Sequence, residues 1–307
     1  QRIPKDDDKL DYIELGKKIY NMENPREVKR CVVFVARCLL NNGRMKKIHQ
    51  FFHQNELLAK VAEEYPFVYE QPTRAFFYRN STFDERVEIL EQHMGFMEKY
   101  FKKDVFLGLY GENPYTLWES KDEIGSLRFE LSFNPGERKE GLLSVVLHLD
   151  DVMLYRIMFW ISPDKKGDMS LWIGAMQGPN VENAKDLVKK VTRRCHSYRT
   201  KNFILHVTQE VAKALGLVHI YAVTNYGYYA NTHMRMEKKL KTSFTDFWEE
   251  SGGHPCEDKC FYELPMTEAR KTMEEIPTRK RNYYRKRYAL LDEVDASVAE
   301  KIRLLLK

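Results

Sequence analysis

MSLWIGAMQGPN (169–180), VENAKDLVKKVTRRCHSYR (181–199), TKNFILHVTQEVAKALG (200–216) and LVHIYAVTN (217–225) make up the stretch whose reading decides the fold. It reads as strand, tight turn, helix, second helix, strand. Leu171, Trp172, Ile173, Gly174, Ala175 and Met176 suit a strand, and Gly178, Pro179 and Asn180 break it. Ala184, Leu187, Val188, Val191 and Cys195 recur at three- and four-residue spacing, which puts them on one helix face. Phe203, Ile204, Val207, Val211, Ala212 and Leu215 form a second apolar stripe, closed by Gly216 as a C-cap. Ile220, Tyr221, Ala222 and Val223 then read as a buried strand ending at Asn225. A strand that opens onto a helix N-terminus presents outward backbone N–H groups, where an anion can sit.

Working outward, the 307 residues suffice for a sizeable core, in one large domain or two smaller ones. Lys and Arg number 50 against 45 Asp and Glu, a formal charge of +5 that favours acidic partners without demanding nucleic acid. The five cysteines, odd in number and scattered among helical patterns, argue for a reducing compartment rather than a disulfide framework. No stretch reaches the roughly eighteen uncharged apolar residues of a membrane helix. The apolar run 31–40 is interrupted by Arg37 and lacks a cleavage-site context, so it does not read as a signal peptide. The sequence starts at Gln1 with a polar KDDDK run at 5–9, which leaves open whether a leader was trimmed.

Ahead of the central stretch the pattern is helical, then stranded. Helices are expected over 12–20, from Pro25 to the Asn41-Asn42-Gly43 break, over 44–64 as one element, and after a Thr82–Glu85 capping box. His93 lies on the apolar stripe of that last helix and reads as a satisfied core histidine. From Val105 the period becomes that of strands, with 125–177 an antiparallel meander in which Trp160 and Trp172 pack across. After Asn225 come a basic face over 226–242, a short helix over 243–250 closed by Gly252-Gly253, a last strand over 260–264, and a basic amphipathic helix to Lys307. The expected organisation is an N-terminal helical layer (1–104), an α/β (α+β) domain with a mixed sheet and flanking helices (105–265), and a basic C-terminal helical extension (266–307).

That order of elements resembles the N-acyltransferase (GNAT) superfamily, in which the turn after the central strand holds the pyrophosphate of coenzyme A. Gln177, Gly178 and Asn180 occupy that turn, with Asn225 ending the neighbouring strand. The superfamily turn carries paired glycines and a basic start, whereas Gly178 stands alone and Glu182 adds negative charge, which points to an acyl-carrier protein as donor beside acyl-coenzyme A. More specifically, IGAMQGP, HSYRTK (196–201), AKALG, IYAVTN, DFWEESGG and KRNYYRKRYALLDE together resemble the VirK/YbjX family of Gram-negative bacteria over about 45–295. The resemblance implies a role in virulence and envelope adaptation, including resistance to antimicrobial peptides. It also implies a family run His-Gly-Leu-Arg-Pro-Lys, of which His196, Arg199 and Lys201 remain.

His196, Arg199 and Lys201 lie between two helices, where they either bind a phosphate or carboxylate or cap the first helix. For acyl transfer, His148 and Glu130 on strands beside the central one supply a candidate base, and Tyr228 or Tyr229 a candidate acid; taken singly, each fits a structural place better than a catalytic one, since strand carboxylates usually face solvent and tyrosines usually pack. His254, Cys256 and Cys260 lack a fourth ligand for zinc, so no metal is expected. The RKRNYYRKR run from Arg279 to Arg287 suits an anionic lipid surface or an acidic carrier protein, or is a solvated helix face; nucleic acid is disfavoured. The expectation is a cytoplasmic acyltransferase, peripheral to the inner membrane, without a tightly bound cofactor, that acylates an amine or hydroxyl of a peptide, protein or lipid precursor. Its rival is a non-catalytic relative that regulates envelope biogenesis by binding acidic partners.

Overall fold

A computed structural model describes residues 10–231 and 243–307. The 1–9 tail and most of the basic face expected after Asn225 lie outside the described residues.

The chain begins with α1 (Tyr12–Ile19), α2 (Pro25–Leu40), α3 (Asn42–Phe52), α4 (Glu56–Glu64), α5 (Phe83–Tyr100) and α6 (Lys103–Tyr110). Local chemistry sets their starts. Asn24 accepts from the Arg26 N–H with Pro25 at the first helical position, and Thr82 and Glu85 form the expected capping box. The single helix expected over 44–64 is two. Asn55 breaks it because its side chain takes the Leu58 N–H at 3.0 Å, a cap that an interior position could not offer. The strand period expected from Val105 is also late: Val105, Phe106, Leu109 and Tyr110 form the buried face of α6, and the first strand begins at Tyr115.

β1 (Tyr115–Asp122), β2 (Gly125–Ser132), β3 (Leu143–Leu149), β4 (Val152–Pro163) and β5 (Met169–Gln177) form an antiparallel meander. The connection α7 (Ala184–Arg194) and α8 (Thr200–Ala214) then delivers β6 (His219–Val223) parallel to β5. After α9 (Phe244–Glu250), β7 (His254–Pro255) and β8 (Phe261–Leu264) complete an eight-stranded mixed sheet in the order β1-β2-β3-β4-β5-β6-β8-β7. α10 (Thr278–Leu305) ends the chain. One continuous buried cluster holds Tyr12, Trp160 and Leu305 alike, so the helical layer, sheet and C-terminal helix share a core.

Phe129 and Trp118 meet Phe203 of α8 over the sheet, and just past the end of β2 Tyr65 packs edge-on against Phe133. His93 is fully buried, accepting from the Ile161 N–H at Nδ1 and facing the Tyr110 hydroxyl at Nε2. Trp160 and Trp172 stack with centroids 6.2 Å apart.

Candidate functional site

β5 and β6 pair only as far as Ile173 and Ala222, after which β5 continues to Gln177 while β6 ends at Val223. At that point β5 is bulged: Met158 faces Ala175 and Phe159 faces Ile173, leaving Gly174 as the extra residue. Bulges re-aim a strand beside functional sites. Here the residue must be glycine, because a Cβ on Gly174 would stand 1.8 Å from the carbonyl oxygen of Glu140. The segment 76–80 crosses between the 137–141 loop and the turn after β6, with Phe77 N–H bonded to the Lys139 carbonyl and Arg79 N–H to that of Gly227, each at 2.8 Å. Phe77 pays for this path with a left-handed φ of 68° while fully buried, a local strain of about 1–3 kcal/mol.

Glu140 lies at the centre of this junction. Its carboxylate accepts a 3.0 Å hydrogen bond from the Tyr228 hydroxyl, and the Tyr228 and Tyr229 rings meet edge-on at 5.0 Å. Burial pushes the Glu140 carboxyl up to about 7, against which the Tyr228 bond works only in part. Burial and then the Glu140 charge push Tyr228 well above the usual phenol range and Tyr229 up to about 12, so both hydroxyls keep their protons at neutral pH. A carboxyl that titrates near neutrality beside protonated phenols is the combination that general acid–base chemistry requires.

The loop is held by a buried hub. Glu70, 1% exposed, binds Arg138 at 2.6 Å, Arg74 at 3.6 Å and the Tyr20 hydroxyl at 2.8 Å, and Gln71 donates to the Arg138 carbonyl. Glu137 pairs with Arg156 of β4. The N-terminal helices therefore build the junction as well as covering the sheet. None of Glu140, Glu70, Arg138 and Arg156 stands out in the sequence: ERKE at 137–140 follows a Pro-Gly turn and reads as solvated. The one signal was Gly174 inside a strand pattern, a mark of close backbone approach.

The residues singled out from sequence do not gather in one place. Glu130 and His148 are cross-strand neighbours, with His148 Nε2 3.2 Å from the carboxylate and Arg128 Nε 2.7 Å from its other oxygen. Those bonds, His148 first, hold the Glu130 carboxyl down at about 2 despite burial. Glu130, Val146, Arg156 and Gln177 occupy one register line across β2 to β5, which places Glu130 and Gln177 on the same sheet face as the junction. Gly178 abuts the Tyr155 ring, and Asn180 is exposed. Asn225 acts locally: its Oδ1 accepts from Phe244 N–H at 2.7 Å and its Nδ2 donates to Ser243, tying the start of α9 to the end of β6.

His196, Arg199 and Lys201 do not converge on one point. His196 takes a φ of 51°, and the carbonyls of His196 and Ser197 are satisfied by Arg287 of α10. Burial and then the charges of Lys286 and Arg287 lower the His196 pKa. Arg199 reaches Glu250 at 3.4 Å, and Lys201 stands 5.3 Å over the Phe247 ring. Of the 279–287 run, Arg287 is thus spent inside the fold, whereas Arg279, Lys280, Arg285 and Lys286 are exposed. Among the described residues Cys260 is buried with its Sγ toward the Arg79 carbonyl, while the half-buried Cys256 faces a groove. Three-ligand groupings do exist, Asp164 with Asp168 and His219, and His206 with Glu210 and Asp295, and neither contains a cysteine.

The protein family DUF535, described as "Protein of unknown function", matches residues 23–300. The chain belongs to that family. Relatives include a Haemophilus influenzae "Uncharacterized protein", 27% identical over 87% of this chain and 87% of the relative. The Escherichia coli "Uncharacterized protein YbjX" is 26% identical over 75% of this chain and 70% of its own length. The Mannheimia haemolytica "Membrane protein LapB" is 26% identical over 67% of this chain and 84% of its own. The VirK/YbjX-type resemblance read from the motifs is therefore this DUF535 family. No solved structure matches the chain. Among the described residues no helix is long and apolar enough to cross a membrane.

Proposed function

We propose that this DUF535 protein is an acyltransferase that moves an acyl group from acyl-carrier protein or acyl-coenzyme A to an amine or hydroxyl of a peptide, protein or envelope lipid precursor. The observation that carries the reading is Glu140, a carboxyl titrating near 7 at the point where β5 and β6 part. The Glu140 carboxylate takes the proton of the acceptor as its nitrogen or oxygen bonds to the thioester carbon. The tetrahedral intermediate then expels the thiolate, which takes a proton from Tyr228 or Tyr229 as the proton held by Glu140 passes across the Tyr228 hydrogen bond to replace it, restoring both groups. Glu130 is a poor base by comparison, since a carboxyl held near 2 binds protons weakly at neutral pH.

Charge favours the carrier protein as donor. Glu182 and Asp186 are exposed at the start of α7, where a pyrophosphate would need a positive site. Further along α7, Lys189, Lys190 and Arg193 are exposed with no carboxylate partner among the described residues, and Lys286 of α10 lies close enough to act on His196. Such a face suits an acidic carrier or an anionic lipid surface, which fits a cytoplasmic protein peripheral to the inner membrane.

A non-catalytic, partner-binding reading has its own support: the segment 76–80 crosses the gap between β5 and β6 that an acyl donor would use. Thiol release from acyl-loaded carrier protein, followed colorimetrically in the presence of an amine acceptor, separates the two. Release by the wild type that is lost in Glu140→Gln supports catalysis; release equal to buffer, or unchanged in the variant, transfers the weight to the binding protein.

A further inference from the structure

A groove of about 580 Å³ opens beside Trp160. Its floor is one register line across five strands: Trp160 faces Trp172, Trp172 faces Tyr221, Tyr221 faces Glu263, and Glu263 faces His254. The line changes from aromatic to ionic along its length. Trp172 and Tyr221 stack at 4.3 Å, and Phe261 closes edge-on against Trp172 at 5.0 Å. The rings are fixed by their polar ends, since Trp172 donates to the Ser162 carbonyl at 3.0 Å and Tyr221 to Asp164 at 3.1 Å. Trp172 and Tyr221 remain half-exposed, so apolar surface is presented to the groove although both hydrogen-bonding groups are occupied.

The rim has one dominant sign. Glu85, Glu88, Asp164, Glu257, Asp258 and Glu263 line the groove against Lys165, Lys166 and His254. The two lysines balance only part of that charge: Lys165 reaches Glu257 at 3.6 Å between two exposed side chains, while Glu85, Asp164, Asp258 and Glu263 accept hydrogen bonds from neutral groups of the fold. His254 and His219 both turn toward Glu263. An anion would be repelled here, and a neutral apolar ligand would leave the net negative charge of the rim uncompensated. The volume is that of a small-molecule site.

We propose that this groove binds a small organic cation with an apolar body, the body over Trp172 and Tyr221 and the ammonium among the carboxylates at the Glu263 end. The site stands apart from the acyl-transfer reading and does not depend on it: Trp160 separates the groove from the Gly174–Glu140 contact.

The test is titration of the full chain with 4-phenylbutylamine and with its neutral counterpart 4-phenylbutanol, read by tryptophan fluorescence. The expected result is a saturable change for the amine, tighter than for the alcohol by about tenfold, and weakened about fivefold in Glu88→Gln/Glu257→Gln, both exposed positions whose loss leaves the fold intact. Glu263→Gln should weaken it further. Equal affinity for amine and alcohol, no saturable change, or wild-type affinity in both variants would overturn the assignment.

Discussion

Two glutamates on the same side of the sheet are driven in opposite directions. Glu130, between Arg128 and His148, is held at about 2; Glu140, bonded among the described residues to a phenol, is raised to about 7. Both are removed from water, so burial alone does not separate them. The partner's charge does: hydrogen-bond donors from a guanidinium and an imidazole offset the loss of solvent, and a neutral hydroxyl does not. One carboxylate is thereby made structural and the other available for proton transfer.

The largest expected effect follows from that contrast. Glu140→Gln should lower thioester-dependent transfer by about 10²- to 10⁴-fold, whereas Glu130→Gln should leave transfer within a few-fold and lower the melting temperature. Rates and melts of both variants would break the comparison if the pattern were reversed. Next is the hub: Glu70→Ala leaves Arg138 without its buried partner and should cost about 3 kcal/mol in chemical denaturation, with the Glu140 loop loosened alongside. Tyr228→Phe should cost about 10²-fold in transfer, less if Tyr229 takes over proton delivery.

The pH dependence sharpens the same pair. Transfer should rise with pH through about 7 as Glu140 loses its proton. Stability has the opposite sign for the two carboxyls. Glu140, raised above its ordinary 4.5, contributes stability below that value and loses it as pH rises through 7; Glu130, depressed, contributes above 4.5 and loses it as pH falls toward 2. His93, lowered to about 3 by burial, adds to the acid side, because the unfolded chain takes up its proton below 6.5. Melting curves at pH 5 and pH 3.5 should therefore show the lower stability at pH 3.5, where the losses at Glu130 and His93 outweigh the gain at Glu140. The smallest effect is expected from Arg193→Glu with Lys286→Glu, which should weaken carrier-protein binding a few-fold at low salt and hardly at all at high salt.

Much of the architecture was legible in the chain because it rests on local rules. The Thr82–Glu85 cap, the 125–177 meander, the strand–helix–helix–strand unit and the Trp160–Trp172 pairing all follow from spacing and turn residues. Expectation and structure part where short-range competition decides: Asn55 caps a second helix, and the short apolar run of α6 takes a helical period ahead of the strands.

What the sequence by itself determined was the set of elements, their order and the family, since periodicity, caps and motifs are properties of neighbours in the chain. The environment of Glu140 was decided only by tertiary structure. Glu70, Arg138, Gly174 and Tyr228 come from separate parts of the chain, and the free energy of a charge depends on the dielectric and the partners assembled around it in space.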